Sequence, residues 1–380
     1  MNHPEPHIFE QTPETLAAWC EKHRMPTFRA KQILEWVYEK GVCEPEKMSN
    51  LSKLDRETLK NNMTFLSGTT LAHQKASDGV QKLLVQWDEG AVGPSEVATE
   101  GKTGIALPQA GGVVDTSRQT ECVMIPSDDR KTACISSQVG CPVGCKFCAS
   151  GLGGLDGNLS TGRIVEQVWR LGQLQGVERI SNVVFMGMGE PLANFQNVTN
   201  AIRILASLWA TGISARKITI STVGLPQAIR KLAEQFELPV TLALSLHAPT
   251  DEIRRSLIPW AEYTTIKDLL SACQTWFDKT GREITLEYTL LHGINDRVEH
   301  AQELAKHAKT LRANINLIRY NEVKDLPFKR PIGDDVLAFQ KVLKDKGINV
   351  HIRASRGRDI AAACGQLRHE SAGENAKAKA

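Results

Sequence analysis

The chain has no apolar run approaching the roughly 20 residues that cross a bilayer, which excludes a membrane-spanning helix. Its first residues, MNHPEPHIFEQTPE, lack a basic start followed by an apolar core. Secretion is therefore not expected, and a reducing cytoplasm is the expected setting. Stable disulfides are not expected there. A large charge excess is missing too. The 46 Lys and Arg against 43 Asp and Glu leave +3, short of the electrostatic signature of a strong nonspecific nucleic-acid binder. With 41% hydrophobic and 23% charged residues, disordered and fibrous classes are excluded. At 380 residues the chain suits one large α/β barrel carrying a small accessory domain.

The pattern changes along the chain. Residues 1–63 are expected to form a helical accessory domain, since FRAKQILEWVYEKG and LSKLDRETLKNNM space apolar residues by three and four, with Gly41 ending one helix. Trp36 and Tyr38 could stack on RNA bases, but their helical spacing favours core packing. Residues 64–126 read as a β-hairpin extension, its strands flanking Asp78-Gly79, a dipeptide suited to a tight turn. Residues 89–119 within it are rich in Gly, Pro, Ser and Thr and read as a flexible insertion. Residues 127–367 alternate apolar strands with amphipathic helices: TACISSQ, NVVFMGMG, KITISTVG, VTLALSLHA, EITLEYTLL, INLIRYN and NVHIRAS mark the strands. Repeated β-α units imply a parallel sheet with helices outside, and six or seven of them suit a partial (β/α)6 barrel better than a flat sheet. Ligands bind beyond the C-terminal strand ends in either architecture. The polar tail, 368–380, is expected to be disordered.

Local basic clusters stand against the weak net charge: Arg353, Arg356 and Arg358 in IRASRGRD, and Lys324, Lys329 and Arg330 in VKDLPFKR. They read equally as solvated surface or as RNA contacts. Of nine cysteines, only Cys141, Cys145 and Cys148 are tightly clustered. Isolated cysteines are by default small buried hydrophobes.

The spacing Cys141-x-x-x-Cys145-x-x-Cys148 offers three thiolates on one short loop after a strand. A structural zinc site closes with four ligands, usually as two separated pairs, whereas three cysteines leave one corner of a cubane [4Fe-4S] cluster open. Gly140 and Gly144 would let the loop wrap closely. An open iron can chelate the amino and carboxylate groups of S-adenosylmethionine and deliver one electron to its sulfonium, giving a 5′-deoxyadenosyl radical. The next strand ends in FMGMGEPLAN, placing Gly189 and Glu190 where a cofactor ammonium could be held; alone, a glycine-rich strand end is weak evidence. Ser221, Ser245, Leu246, His247 and Asn321 supply further groups at strand ends, His247 being by default a satisfied strand-end histidine.

Taken in order, CISSQVGCPVGCKFC, MGMGEPLAN, STVG, LSLHAPTDEIR, NLIRYN and RGRDIAAACGQL resemble the RlmN/Cfr family of radical adenine methyltransferases from about residue 13 to 367. The helical N-terminal unit resembles the branch that modifies carbon-2 of an adenine in 23S rRNA and of an adenine beside the tRNA anticodon. Adenine carbon-2 is electron-poor and cannot attack a sulfonium methyl group as an amine would, so a radical route fits. The resemblance implies that Cys364 accepts a methyl from one S-adenosylmethionine and that a second is cleaved to a radical that takes hydrogen from that S-methyl group. Two cofactor molecules are consumed per turnover. The carbon radical adds to the base, Glu121 accepts the proton lost from it, and Cys134 resolves the adduct through a transient disulfide with Cys364. Such a bond is compatible with a reducing compartment because it is catalytic. The implied partners are RNA and an electron donor such as flavodoxin or ferredoxin, with no membrane. Cys20, Cys43, Cys122 and Cys273 match no family role. Two departures concern the long segment after residue 89, and Arg319 and Glu322 where prolines are usual; both put substrate choice in question.

The same cysteines serve a relative that methylates adenine carbon-8. A noncatalytic RNA-binding protein with a structural metal centre, or a glycyl-radical activating enzyme, would have no use for the Cys134 and Cys364 pair.

Overall fold

The computed structural model describes residues 1–3, 5–88 and 118–367. Nearly all of the expected insertion, and the whole expected tail, lie outside the described residues.

The N-terminal segment carries α1 (Pro13–Lys22), α2 (Arg29–Leu34) and α3 (Lys53–Asn62). Thr12 and Ser52 start α1 and α3 by accepting the N–H of Thr15 and Asp55, satisfying donors that a helix start leaves free. After α2 the chain continues into a π-helical turn, Glu35–Glu39, and reverses at Gly41, whose φ of +64° is the left-handed value glycine adopts readily. Trp36 and Tyr38 pack against the main core. Trp36 Nε1 donates to Asn50 Oδ1 at 2.6 Å, and Tyr38 meets Phe9 and Trp209 edge-on.

Strands β1 (Gly68–Lys75) and β2 (Gln81–Trp87) form the hairpin. Their last pair is Lys75 with Gln81, so the turn runs from Ala76 to Val80 and is longer than a two-residue loop. The extra length has a use. Asp78 Oδ2 accepts the N–H of Gly357 and Asp359 Oδ2 accepts that of Ser77, tying the turn to the C-terminal segment.

The meander continues antiparallel through β3 (Gln119–Pro126) and β4 (Lys131–Cys134). A separate ribbon, β5 (Gln138–Gly140) with β6 (Leu155–Asn158), follows. Then come α4 (Thr161–Gly172), β7 (Asn182–Phe185), α5 (Phe195–Ala206), β8 (Ile218–Thr222), α6 (Pro226–Gln235), β9 (Thr241–Ser245), α7 (Asp251–Leu257), α8 (Ile266–Thr280), β10 (Ile284–Leu290), α9 (Val298–Lys309), β11 (Ala313–Arg319), α10 (Gly333–Asp345) and β12 (Val350–Arg353). The sheet order is β1-β2-β3-β4-β7-β8-β9-β10-β11-β12, parallel from β4 onward. Strand order thus follows chain order without the reversal that a doubly wound sheet requires. Right-handed crossovers then put every intervening helix on one face, and the sheet curls into a partial barrel whose end strands, β1 and β12, are not paired with each other.

One apolar cluster runs through the barrel and the N-terminal helices, from Ile8 and Leu16 to Phe339 and Leu343. At their seam lies fully buried Glu166 of α4. It accepts from the Ser67 N–H at 2.9 Å and hydroxyl at 2.8 Å, stands 3.2 Å from His7 Nε2 and pairs with Arg170 at 2.7 Å. Burial works against its charge, yet Arg170, His7 and Ser67 together hold the carboxyl down at about 2. No helix among the described residues is long and apolar enough to cross a membrane.

Candidate active site

The loop from Cys141 to Cys148 is held between the two strands of the β5/β6 ribbon, above the C-terminal ends of the barrel strands. Gly187 and Gly189, just past β7, make that approach possible. A Cβ at Gly187 would meet the Ile135 carbonyl at 2.6 Å, and one at Gly189 (φ +105°) would meet Gln138 Cβ and Ser137 Oγ at 2.7 Å. Any larger residue would push the thiol-bearing loop off the strand ends.

A cavity with about 920 Å³ of empty space, open solvent included, lies beneath this loop. Its wall includes Cys141, Cys145, Cys148, Gly189, Glu190, Ser221, Ser245, His247, Asn321 and Cys364. Sequence spacing alone could not join the last of these to the others. The C-terminal loop is clamped there by the residues that follow the thiols: Ala149 N–H donates to the Gly365 carbonyl at 2.8 Å, and Ser150 Oγ to that of Leu367 at 2.8 Å. Asn321 Nδ2 donates to the Cys364 carbonyl at 3.3 Å.

Cys134 sits at the end of β4 and lines an adjoining cavity, which it shares with Met186, Asn321, Arg353, Arg356 and Cys364. Cys364 therefore faces both spaces. Leu246 lines neither: between Ser245 and His247 its side chain points into the core, and its carbonyl accepts from Arg254 Nε. Glu121 also lines neither cavity. Its Oε1 lies 2.7 Å from Lys82 Nζ, which in turn donates to the Ala361 carbonyl. On β3 it shares a face with Val123, two residues on, which packs in one cluster with Cys134 and Ala362.

Electrostatics sort these groups. Burial pushes the Cys141 thiol up to about 12 and the Cys134 thiol up to about 12. Glu190 is buried; it accepts from the Leu192 N–H at 2.9 Å and the Val223 N–H at 2.7 Å, and burial raises its carboxyl to about 7. An ammonium group brought beside it would restore the carboxylate. His247 adopts φ +57°, unusual for a residue with a Cβ. Its Nδ1 accepts from the Thr289 N–H at 3.0 Å, so its Nε2 carries the ring proton and can donate. Burial, with Arg254 nearby, lowers its pKa to about 3 and keeps the ring neutral.

Two family models match the chain: the Radical SAM superfamily over residues 135–308, and the ribosomal RNA large subunit methyltransferase N-terminal domain over residues 7–65. A probable dual-specificity RNA methyltransferase RlmN from Rhodopirellula baltica is 40% identical, covering 95% of this chain and 90% of its own. The chain belongs to the RlmN family. The dual-specificity RNA methyltransferase RlmN of Dichelobacter nodosus is 39% identical across 95% of this chain and 93% of that protein. A crystal structure of a radical SAM methyltransferase from Sphaerobacter thermophilus superposes with a TM-score of 0.86 at 35% identity, covering 96% of this chain and 99% of that one.

RlmN enzymes, as radical SAM proteins, work with a [4Fe-4S] cluster and S-adenosylmethionine, and the three-thiol loop fits that group. Ligands of a single tetrahedral zinc, with Zn–S near 2.3 Å, would gather to about 3.8 Å of one another. Among the described residues, ligand atoms converge within 4.8 Å at His292, Asp296 and Asp335, and the three thiols do not form such a group. Three soft thiolates on one loop at the cavity wall are the donor set of a cubane with one iron left open.

Of the two departures noted in the sequence, Glu322 is held by hydrogen bonds, whereas Arg319 Nε is buried without a partner. Glu322 Oε1 accepts from the Arg330 N–H at 3.2 Å, and its carbonyl accepts from Gln366 Nε2 at 2.9 Å, tying the β11 loop to the Cys364 loop. Arg330 Nη1 donates to the Tyr320 carbonyl and Asn321 Oδ1. Part of the basic cluster thus serves structure. Arg353 is different again: it lines both cavities, beside Cys364. Sequence reading also missed Glu287 and Met186 on the cavity wall.

Proposed function

We propose that this chain methylates carbon-2 of an adenine in 23S rRNA and of an adenine beside the tRNA anticodon, with Cys364 carrying the methyl group. One observation bears most of the weight: Cys364 lines the same cavity as Cys141, Cys145 and Cys148. When bound there, the [4Fe-4S] cluster and S-adenosylmethionine supply a one-electron cleavage and a radical that removes hydrogen.

The protein's own residues do the rest. Glu190 and the backbone around Gly189 hold the cofactor's ammonium, with Ser221, Ser245, the Leu246 backbone, His247 and Asn321 around its remaining polar groups. Cys364, clamped by Ala149 and Ser150, receives a methyl on its sulfur; after losing one hydrogen atom, that carbon bonds to the base. Glu121 takes the proton released from carbon-2, and the one electron that the adduct must then give up to become closed-shell is one the oxidised cluster would accept. Cys134 then bonds to the Cys364 sulfur, the carbon stays on the base and is protonated to a methyl group, and the disulfide is later reduced. The helical unit of residues 1–63 contributes RNA contacts, a reading supported by the match of its N-terminal domain model. Reduced flavodoxin or ferredoxin supplies the electrons.

The test uses reconstituted enzyme, RNA labelled with deuterium at adenine carbon-2 or carbon-8, and mass spectrometry of the product. Loss of the carbon-2 label together with 5′-deoxyadenosine formation supports the proposal. Loss from carbon-8 assigns the other regiochemistry, and methylation without 5′-deoxyadenosine excludes the radical route.

A further inference from the structure

Glu287 of β10 is 3% exposed and lines the cavity. Its Oε1 accepts from Asn316 Nδ2 at 3.0 Å, while Oε2 has no hydrogen-bond partner. A buried carboxylate oxygen left without a partner is destabilising, so such an atom calls for a ligand that donates to it. Burial raises the Glu287 carboxyl, and Arg353, at the end of β12 on the wall of the same cavity, opposes that rise and favours the carboxylate. Its Nη1 faces Met186 Sδ at 3.3 Å, a weak acceptor that leaves the guanidinium's bonding capacity largely unspent. An acceptor and a donor thus line the cavity together with Cys364, Glu287 opposite Ser245 of β9 and Arg353 against Met186 just past β7.

We propose that Glu287 and Arg353 read the target base, Glu287 Oε2 accepting from the exocyclic 6-amino group of adenine and Arg353 donating to ring nitrogen N1. The proposal rests on the adenine reading above and names what enforces it. A 6-amino donor adjacent to an N1 acceptor is the pattern that distinguishes adenine from guanine, whose 6-oxo group would face the carboxylate. N1 neighbours carbon-2, so a hydrogen bond from Arg353 also draws electron density from the carbon that the methylene radical attacks. Asn316 fixes the carboxylate's orientation through Oε1, and the strand register places Asn316 directly opposite Glu287.

The experiment uses the full-length reconstituted holoenzyme and RNA fragments that carry, at the target position, adenosine, purine riboside (no 6-amino group) or 1-deazaadenosine (no N1). The wild type is expected to prefer adenosine over each analogue by roughly 10- to 100-fold in kcat/KM, the discrimination that a good base-edge contact gives. In Glu287→Gln, Asn316 holds the amide oxygen and the amide nitrogen faces the amino group. The preference over purine riboside then falls to within about three-fold, while that over 1-deazaadenosine persists. Wild-type enzyme that methylates adenosine and purine riboside equally overturns the proposal while leaving the carbon-2 reading intact. So does a Glu287→Gln variant that keeps full discrimination, or one whose only defect is weaker S-adenosylmethionine binding, which would move Glu287 to the cofactor. If adenosine itself is not methylated at carbon-2 by the wild type, it is the proposed function that fails.

Discussion

Cys134 and Cys364, one at the end of the first parallel strand and the other beyond the last, line a single cavity with Arg353 on its wall. Burial, with the neighbouring Cys364 adding to it and Arg353 opposing both, raises the Cys134 thiol to about 12. Cys134 is thus a protonated thiol at neutral pH. Replacing it should not prevent the base from being captured, only its release. Cys134→Ala is expected to accumulate an RNA–protein adduct visible on a denaturing gel, absent when Cys364 is also replaced. In the wild type, adduct resolution should speed up about ten-fold per pH unit between pH 7 and 9, because the thiolate fraction rises with pH below the thiol's pKa. A flat profile would show that thiolate formation does not limit resolution.

Ser150 holds the Leu367 carbonyl at 2.8 Å without being one of the thiol ligands. Ser150→Ala removes that hydrogen bond to the Cys364 loop, worth about 1 kcal/mol, together with the one its hydroxyl makes to the Cys148 thiol. Iron content should stay at wild-type level while methylation of RNA slows roughly five-fold. Loss of iron would instead assign Ser150 to the cluster loop's own integrity.

Glu166 joins the N-terminal segment to the barrel. Its folded-state pKa of about 2 lies below the usual carboxylate value, so the unfolded chain binds more protons in acid. The stabilisation is full above about pH 4.5 and is lost as pH falls toward 2. It is on the order of 3 kcal/mol from that shift. Denaturant unfolding between pH 7 and 3 should show wild-type stability falling below pH 4.5, whereas Glu166→Gln starts lower and falls less steeply.

Much of this was legible because strands and thiol spacing are local. Apolar strand runs marked each parallel strand from β4 to β12, and three cysteines in eight residues marked the cluster loop before any contact was known. What was not legible depends on register. Glu287 is an inconspicuous glutamate in ITLEYTL until β10 aligns it with Asn316 and Ser245. Arg353 reads as one of three arginines in a basic run; only the position of β12 turns it toward Cys364 while Arg356 bonds the Pro126 carbonyl. Leu246 lies just past β9, where the left-handed backbone at His247 leaves the leucine in the core while Ser245 and His247 line the cavity. Asp78-Gly79 marked a turn correctly but not its length, which is set by contacts to Gly357 and Asp359 far along the chain.

The central claim is that a thiol loop and a distant C-terminal sulfur act on one substrate in one cavity. Mass spectrometry of the Cys364 peptide from anaerobically purified protein, alongside Cys141→Ala, tests it most directly. The account predicts an S-methyl group on Cys364 in the wild type and an unmodified thiol in the variant, because the methyl donor is held at the cluster. An unmethylated Cys364 in active wild-type enzyme, or equal methylation in both proteins, would contradict it.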